Sequence, residues 1–181
     1  MIPLPHPHPN GIERSSVELA CYDLLDRLSI PYSHLDHPPA ATMQDCIEID
    51  RRLGCAMCKN LFLTNKQKTR FFLLLMPADK PFRTADFSKI VASSRLSFAS
   101  SEDMERLLGL SPGAVTLLGL MHDTNNEVTL CVDEELLTQD LIGIHPCVNT
   151  SSISLAVSDA FGPLIAAMHH EMTIVQLERR E

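Results

Sequence analysis

The chain lacks any hydrophobic run long enough to cross a membrane as a helix, which takes about 20 residues. Its longest apolar runs, such as residues 71–76, have the length of a strand. The first residues, MIPLPHPHPNG, lack the basic start and the apolar block of a secretory signal. These absences predict a cytoplasmic protein without membrane contact, whose six cysteines are free thiols in a reducing compartment.

Positive charge is also scarce. The 181 residues include 15 Lys and Arg against 23 Asp and Glu, which gives a formal net charge of −8. A broad basic face for nucleic acid is therefore excluded, because such binding depends on neutralising many phosphates. The charge is compatible with a protein that holds only the end of a nucleic acid through one or two cations.

Familiar catalytic motifs are missing as well. There is no G-x-S-x-G elbow, no G-x-x-x-x-G-K-[ST] loop and no G-x-G-x-x-G fingerprint. The C-x-x-C pair, Cys55 and Cys58, has no second pair to complete a structural zinc site, and it follows a predicted helix rather than opening one. No metal or cofactor is expected. A metal-binding protein that uses these cysteines with His6 and His8 stays an alternative, and it would carry stoichiometric zinc.

Apolar periodicity predicts the regular elements. Helices are expected over residues 13–28, 43–53, 84–91, 102–108 and from about 158 to 169, and strands over 30–34, 59–64, 70–76, 128–132, 153–157 and 172–177. Ser15 or Ser16 would cap the first helix, Thr42 would cap the second, and Gly54 would end it.

The order of these elements predicts an α/β (mixed α+β) fold. Helices and strands alternate irregularly, and strands 59–64 and 70–76 read as an antiparallel hairpin. We therefore expect a single domain over residues 13–181, with a mixed, partly antiparallel central sheet flanked by helices. Residues 1–12, which hold four prolines, are expected to form a flexible lead-in.

A few polar residues are candidates for chemistry. Lys59 begins an apolar strand, where a lysine is usually a solvated edge residue; a function for it would be to hold a phosphate or carboxylate as a point charge. His145 and Asn149 lie in one predicted loop, where they either bind a ligand or tie the loop together. Gly113 and Gly119 bracket a segment whose main chain could approach a ligand closely.

Several strings occur together in a fixed order: HPPAAT (37–42), CKNLFL (58–63), FLLLMPADK (72–80), RLSFA (95–99), LGLSPGAVTLLGL (108–120) and HPCVN (145–149). From about residue 15 to the C-terminus, the chain resembles the stand-alone prolyl-tRNA editing proteins. These are relatives of the editing domain inserted in bacterial prolyl-tRNA synthetases and of the Cys-tRNA(Pro) deacylases. The resemblance implies the YbaK-like editing fold.

The resemblance also implies a mechanism with neither a metal nor a protein nucleophile. The family lysine matches Lys59, which would hold a phosphate near the terminal adenosine, while the ribose hydroxyl of the tRNA helps to activate water. The main-chain N–H groups around Gly113 and Ala114 are the expected oxyanion donors. Substrate contacts are expected from a further set of residues: His37, Thr42, Asn60, Thr116, Leu117, His145 and Asn149.

One residue departs from the family pattern. The family loop reads G-x-x-x-P, whereas Gly113 is followed at the fourth position by Leu117, which leaves φ free and restores a backbone N–H. This change bears on the rigidity of the loop and on which amino acid is removed.

The sequence thus predicts an aminoacyl-tRNA deacylase that acts in trans on mischarged tRNA(Pro), with Ala-tRNA(Pro) as the leading substrate. A small pocket that contains His145 would admit alanine and exclude proline by size. The expected partners are the tRNA acceptor end and prolyl-tRNA synthetase. Besides the metal-binding protein, two alternatives stay open: a deacylase for Cys- or Ser-tRNA, and a non-catalytic module that binds aminoacyl-tRNA or a synthetase.

Overall fold

The computed structural model describes residues 13–40 and 43–179. The expected lead-in, residues 1–12, and the predicted cap Thr42 lie outside the described residues. Within them, no helix combines the length and the apolar character that a membrane crossing needs.

Among the described residues up to 108, four regular α-helices are present: α1 (Ser16–Arg27), α2 (Met43–Leu53), α3 (Thr84–Ile90) and α4 (Ser101–Leu108). Their ends follow the capping residues. Ser15 accepts a hydrogen bond from the main-chain N–H of Glu18 at 3.2 Å, and Gly109 ends α4 with φ +63°. The predicted helices 43–53, 84–91 and 102–108 are confirmed to within one residue at each end.

Shorter helical segments follow. Two 3₁₀ helices span Leu117–His122 and Glu134–Thr138. Near the C-terminus, α5 (Val157–Asp159), a π-helical turn (Ala160–Leu164) and α6 (Ile165–Ala167) run on without a break. The π-helical turn contains Pro163, which has no N–H to donate to the helix.

In the described part of the chain, eight strands form two sheets: β1 (Tyr32–Asp36), β2 (Cys58–Asn65), β3 (Phe71–Pro77), β4 (Leu96–Phe98), β5 (Val128–Asp133), β6 (Leu141–Ile144), β7 (Ser151–Ala156) and β8 (Met172–Val175). The five-stranded sheet has the order β4-β2-β3-β5-β8. It is mixed, because β5 pairs in parallel with β3 and β8, whereas β2 pairs antiparallel with β3 and β4. The three-stranded sheet, β1-β7-β6, is antiparallel.

The mixed α/β class and the β2–β3 hairpin are confirmed, but the strands form two sheets where the sequence indicated one. Strands β4 and β6 were not predicted, because they have only three and four residues, too few for a periodic pattern. The central strand β3 is buried at all seven residues, in keeping with its uninterrupted apolar run.

The larger hydrophobic core lies between the two sheets and includes residues of α1. It contains Tyr22 and Leu25 from α1, Phe62 and Leu73 from the five-stranded sheet, and Ile153 from the three-stranded sheet. A second core covers the opposite face of the five-stranded sheet, where Phe87 of α3 packs edge-on against Phe72 at 5.9 Å between ring centroids.

The two sheets meet where β2 begins. Met57 forms a parallel bridge with Gly143 of β6, and the N–H of Gly143 donates to the carbonyl oxygen of Ala56 at 3.2 Å. A Cβ on Gly143 would lie 2.7 Å from the sulfur of Met57 and 3.1 Å from the carbonyl oxygen of Ala56. Glycine is therefore required for this approach of the two main chains.

We expect Gly143→Ala to lower the free energy of unfolding by about 1–3 kcal/mol, because the added methyl group pushes β6 away from β2. Urea denaturation measures the change. The Met57 sulfur is mobile but the Ala56 carbonyl is not, so the same substitution in a Met57→Ala background should remain destabilising. Full recovery in that background would contradict a main-chain constraint.

Candidate functional site

One edge of β2 is bare along part of its length. On one side, β2 pairs with β3 from Cys58 onwards. On the other side, β4 pairs with only the last three residues of β2, and Ala99 N–H adds a bond to Phe62 O at 2.9 Å. Because the Met57–Gly143 bridge lies just before β2, residues 58–61 have no strand partner on this side within the described chain.

The bare edge exposes main-chain groups of Asn60. In an antiparallel strand, alternate residues direct both their N–H and their C=O to the same side. Since the Phe62 carbonyl points towards β4, the N–H and C=O of Asn60, two residues earlier, point to the same edge. They have no hydrogen-bond partner among the described residues. The gap thus offers one donor and one acceptor to a ligand.

A cleft of about 310 Å³ lies at this gap. We call it the edge cleft, and its lining residues are Cys58, Asn60, Leu61, Phe62, Phe98, Met104, Gly113, Val115 and His145. The cleft brings together three predicted site residues, Asn60, Gly113 and His145, from segments far apart in the sequence.

The side chain of Asn60 adds an acceptor. Its Nδ2 donates to the carbonyl oxygen of Cys58 at 3.2 Å and lies 3.4 Å from the Cys58 sulfur. Its Oδ1 is buried and has no partner among the described residues. Burial raises the pKa of Cys58 to about 12, so this thiol is neutral and a poor nucleophile. Asn60 Oδ1 is therefore placed to accept a hydrogen bond from a ligand.

The imidazole of His145 is neutral. Its pKa lies below 6.5, chiefly because burial disfavours the charged form, and the positive charge on a protonated His37 would lower it further. Its Nδ1 lies 3.0 Å from the carbonyl oxygen of Ser151. A carbonyl oxygen only accepts, so Nδ1 carries the hydrogen and Nε2 keeps a lone pair. Nε2 has no partner among the described residues.

Two neighbours hold His145 in place. Thr116, fully buried, donates from its hydroxyl to the carbonyl oxygen of His145 at 2.7 Å. The ring of His37 lies 6.3 Å from that of His145, and the N–H of His37 donates to Thr150 O at 2.9 Å. Thr116 and His37 support His145 from outside the edge cleft, since neither is among its lining residues.

The glycine turn supplies fewer donors than the sequence predicted. Gly113 has φ +89°, and the N–H of Ala114 donates to Ser111 O at 3.1 Å. The Ala114 donor is thus used within the turn, which removes it from the expected oxyanion pair. The N–H of Gly113 has no partner among the described residues. Asn149 Nδ2 would lie 3.7 Å from a Cβ on Gly113, so Asn149 flanks the turn.

Leu117 has a different surrounding from the one its place in the family loop indicated. It is fully buried at the start of the Leu117–His122 helix and packs in the larger core. It does not line the edge cleft. The leucine therefore replaces the family proline at a packed position.

Lys59 lies on the other face of β2. Side chains alternate along a strand, so Lys59 points away from the face of Asn60. Its Nζ donates to the carbonyl oxygen of Lys80 at 2.8 Å. Lys80 is itself buried, with its ammonium 2.8 Å from Asp133 and 3.2 Å from Glu135. The buried ion pair fixes the carbonyl that orients Lys59, and one hydrogen bond leaves two of its three ammonium hydrogens.

Phe98 shares that face and was missed in the sequence. It stands opposite Leu63, which is on the same side of β2 as Lys59. Its side chain is 58% exposed although it lies beside the ring of Phe82, at 6.3 Å between centroids. A signal was available in the string RLSFA, but a single phenylalanine in a three-residue strand has no pattern that distinguishes an exposed ring from a buried one.

Cys55 is half-buried, and no group of three or more His, Cys, Asp or Glu side chains is placed to hold a metal ion in the part of the chain that the structure describes. His6 and His8, the other two residues of that alternative, lie outside it.

Relatives of known sequence share most of this chain. The prolyl-tRNA editing protein ProX of Acetoanaerobium sticklandii is 29% identical over 135 residues, which cover 75% of this chain and 82% of that protein. The prolyl-tRNA synthetase associated domain-containing protein 1 of Danio rerio is 29% identical over 149 residues, 81% and 80% of the two chains.

A solved structure shares the fold. It is provisionally described as a trans-editing enzyme for prolyl tRNA synthetase, and it superposes with a TM-score of 0.67 at 16% identity over 92% of this chain and all of that one (100%). The sequence profile of the aminoacyl-tRNA editing domain matches residues 37–161, which include the edge cleft and Lys59. This match confirms the resemblance, and the chain belongs to the aminoacyl-tRNA editing domain family.

Proposed function

We propose that this protein is a trans-editing hydrolase that cleaves the aminoacyl ester of mischarged tRNA(Pro), with Ala-tRNA(Pro) as its substrate. The observation that carries the proposal is the edge cleft, where bare main-chain groups of β2 meet the turn of Gly113 and the neutral imidazole of His145. The names of the relatives, which refer to prolyl-tRNA editing and prolyl-tRNA synthetase, point to the same class of substrate.

The chemistry needs little more than positioning. An aminoacyl ester is already activated, so a water molecule oriented by the tRNA ribose hydroxyl suffices as the nucleophile. The N–H groups of Asn60 and Gly113 are the donors proposed for the developing oxyanion, in place of the Ala114 N–H. Asn60 Oδ1 and His145 Nε2 are acceptors, suited to the ammonium group of the amino acid.

The two faces of β2 would bind different parts of the substrate. We place the aminoacyl group in the edge cleft, beside Asn60 and His145, and the terminal nucleotide on the face of Lys59, with Phe98 lining both the cleft and this face. The remaining ammonium hydrogens of Lys59 bind a phosphate, and the exposed ring of Phe98 stacks on a base. The ester crosses the bare edge between the two faces. This arrangement needs one cation, in keeping with the net charge of −8.

Single-turnover deacylation of Ala-, Cys-, Ser- and Pro-tRNA(Pro) tests the function. We expect selective clearance of Ala-tRNA(Pro), because the small cleft excludes proline by size. Lys59→Ala should slow the reaction by about 100-fold through misplacement of the ester.

The matched control is Lys66→Ala, an exposed lysine in the turn after β2, which should leave the rate unchanged. Hydrolysis of Cys- or Ser-tRNA(Pro) alone would reassign the substrate. If the protein bound all four aminoacyl-tRNAs and hydrolysed none, it would be a binding module and not a deacylase.

Phe98→Ala should weaken binding of the tRNA acceptor end by about 5- to 150-fold, since base stacking on an aromatic ring contributes about 1–3 kcal/mol. Binding of a non-hydrolysable aminoacyl-tRNA analogue measures the change. The control is Ile174→Ala on β8, at the opposite edge of the same sheet, where the side chain is similarly exposed at 55%. Equal losses in both variants would contradict a stacking role.

The neutral state of His145 makes stability depend on pH. Its pKa is lowered on folding, so the unfolded chain takes up a proton more readily. The stability that the neutral His145 contributes is complete above pH 6.5, the ordinary pKa of histidine, and it is lost as the pH falls below that value. In urea denaturation between pH 6.5 and about 5, the free energy of unfolding should fall less steeply in His145→Gln than in wild type. Parallel curves would show that folding does not lower the pKa of His145.

A further inference from the structure

A buried hydroxyl lies between the two imidazoles at the edge cleft. Ser152 of β7 is fully buried, and its Oγ is 2.8 Å from Nε2 of His37 and 3.4 Å from Nδ1 of His145. The sequence did not predict it as a site residue, because only the three-stranded sheet brings β7 beside His37 and His145.

The direction of each hydrogen bond follows from the carbonyl groups at the two ends. His37 Nδ1 is 2.8 Å from the carbonyl oxygen of Pro38, which can only accept, so this nitrogen donates. In the neutral form of this ring, Nε2 then has a lone pair, and the Ser152 hydroxyl donates to it. The lone pairs of the Ser152 oxygen face His145 Nδ1, which donates mainly to Ser151 O.

The arrangement allows one tautomer of His145. If the hydrogen moved to Nε2, the lone pair of Nδ1 would face the Ser151 carbonyl oxygen and the Ser152 oxygen, whose hydrogen is already committed to His37. Three acceptors would then meet without a hydrogen between them. The Ser152 hydroxyl thus links the tautomers of the two imidazoles.

We propose that Ser152 is a positioning residue for the editing reaction: it holds the rings of His37 and His145 in place and supports the tautomers that the Pro38 and Ser151 carbonyl groups set, so that Nε2 of His145 presents its lone pair to the ammonium group of the aminoacyl ester. The proposal rests on the proposed function for its substrate. Ser152 itself does not touch the substrate, because it acts through the two rings.

The loss of the hydroxyl has a defined consequence. In Ser152→Ala, His37 Nε2 keeps its lone pair but loses its donor, and the Nδ1–H of His145 loses its second acceptor. An unpaired buried nitrogen is costly, so the ring of His37 moves towards another donor and the ring of His145 is held less firmly. The matched control is Ser154→Ala, because Ser154 is also buried, lies on the same face of β7, and bonds to Leu53 O at 3.4 Å rather than to a histidine.

Two measurements on the full chain test the proposal. Long-range ¹H–¹⁵N NMR of the imidazoles, at a pH well above 6.5, should show Nδ1–H tautomers for both rings in wild type and in Ser154→Ala. In Ser152→Ala, the His37 Nε2 resonance should shift as its hydrogen bond is lost, and the His145 Nδ1–H resonance should shift as it loses its second acceptor. Single-turnover deacylation of Ala-tRNA(Pro) should fall by about tenfold in Ser152→Ala only, with binding of the tRNA unchanged.

An Nε2–H tautomer of His145 in wild type would overturn the proposal, and so would unchanged imidazole signals and rates in Ser152→Ala. Equal loss of activity in both serine variants would show a purely structural role. Because the NMR measurement needs no substrate, it stands apart from the proposed function. If wild type hydrolyses none of the four tRNAs while the imidazoles respond as expected, the function has failed and the positioning of the rings by Ser152 is upheld.

Discussion

The close contact between β2 and β6 determines most of what surrounds the edge cleft. The bridge between Met57 and Gly143 fixes β6 against the start of β2, and β4 begins to pair only at Leu63. Between these two contacts the strand has neither neighbour. His145 follows directly after β6, so the same bridge brings its imidazole to the gap.

The alternation of side chains along β2 gives neighbouring residues different surroundings. Lys59 and Asn60 are adjacent in the chain, yet one bonds to the Lys80 carbonyl on one face and the other lines the edge cleft. One peptide unit of β2 therefore separates the charged face of Lys59 from the edge cleft, which holds hydrogen-bond acceptors and main-chain donors. Sites on rigid strands hold such distances well, and the buried ion pair of Lys80 and Asp133 stiffens the charged side.

The sequence predicted what local chemistry controls. Ser15 and Gly54 mark the helix start and the helix end that the structure reproduces, and the apolar run of β3 is buried on both faces. Strands β4 and β6 escaped prediction because pairing with β2 and β7, rather than their own pattern, makes them strands.

The site was predictable in part. Asn60, Gly113 and His145 meet in the cleft, but the use of the Ala114 N–H within its own turn depends on a local geometry that composition does not reveal. Ser152 lies 115 residues from its partner His37, a pairing that only the fold creates.

The bare edge of β2 also bears on how the protein avoids self-association. Unpaired strand edges attract strands of other chains, and natural sheets shorten, cover or interrupt them. Here the exposed stretch is confined to residues 58–61 and is closed at one end by β6 and at the other by β4. A foreign strand would find room for only one or two hydrogen bonds. The polypeptide can therefore keep main-chain groups unpaired for a small ligand without offering a template for aggregation.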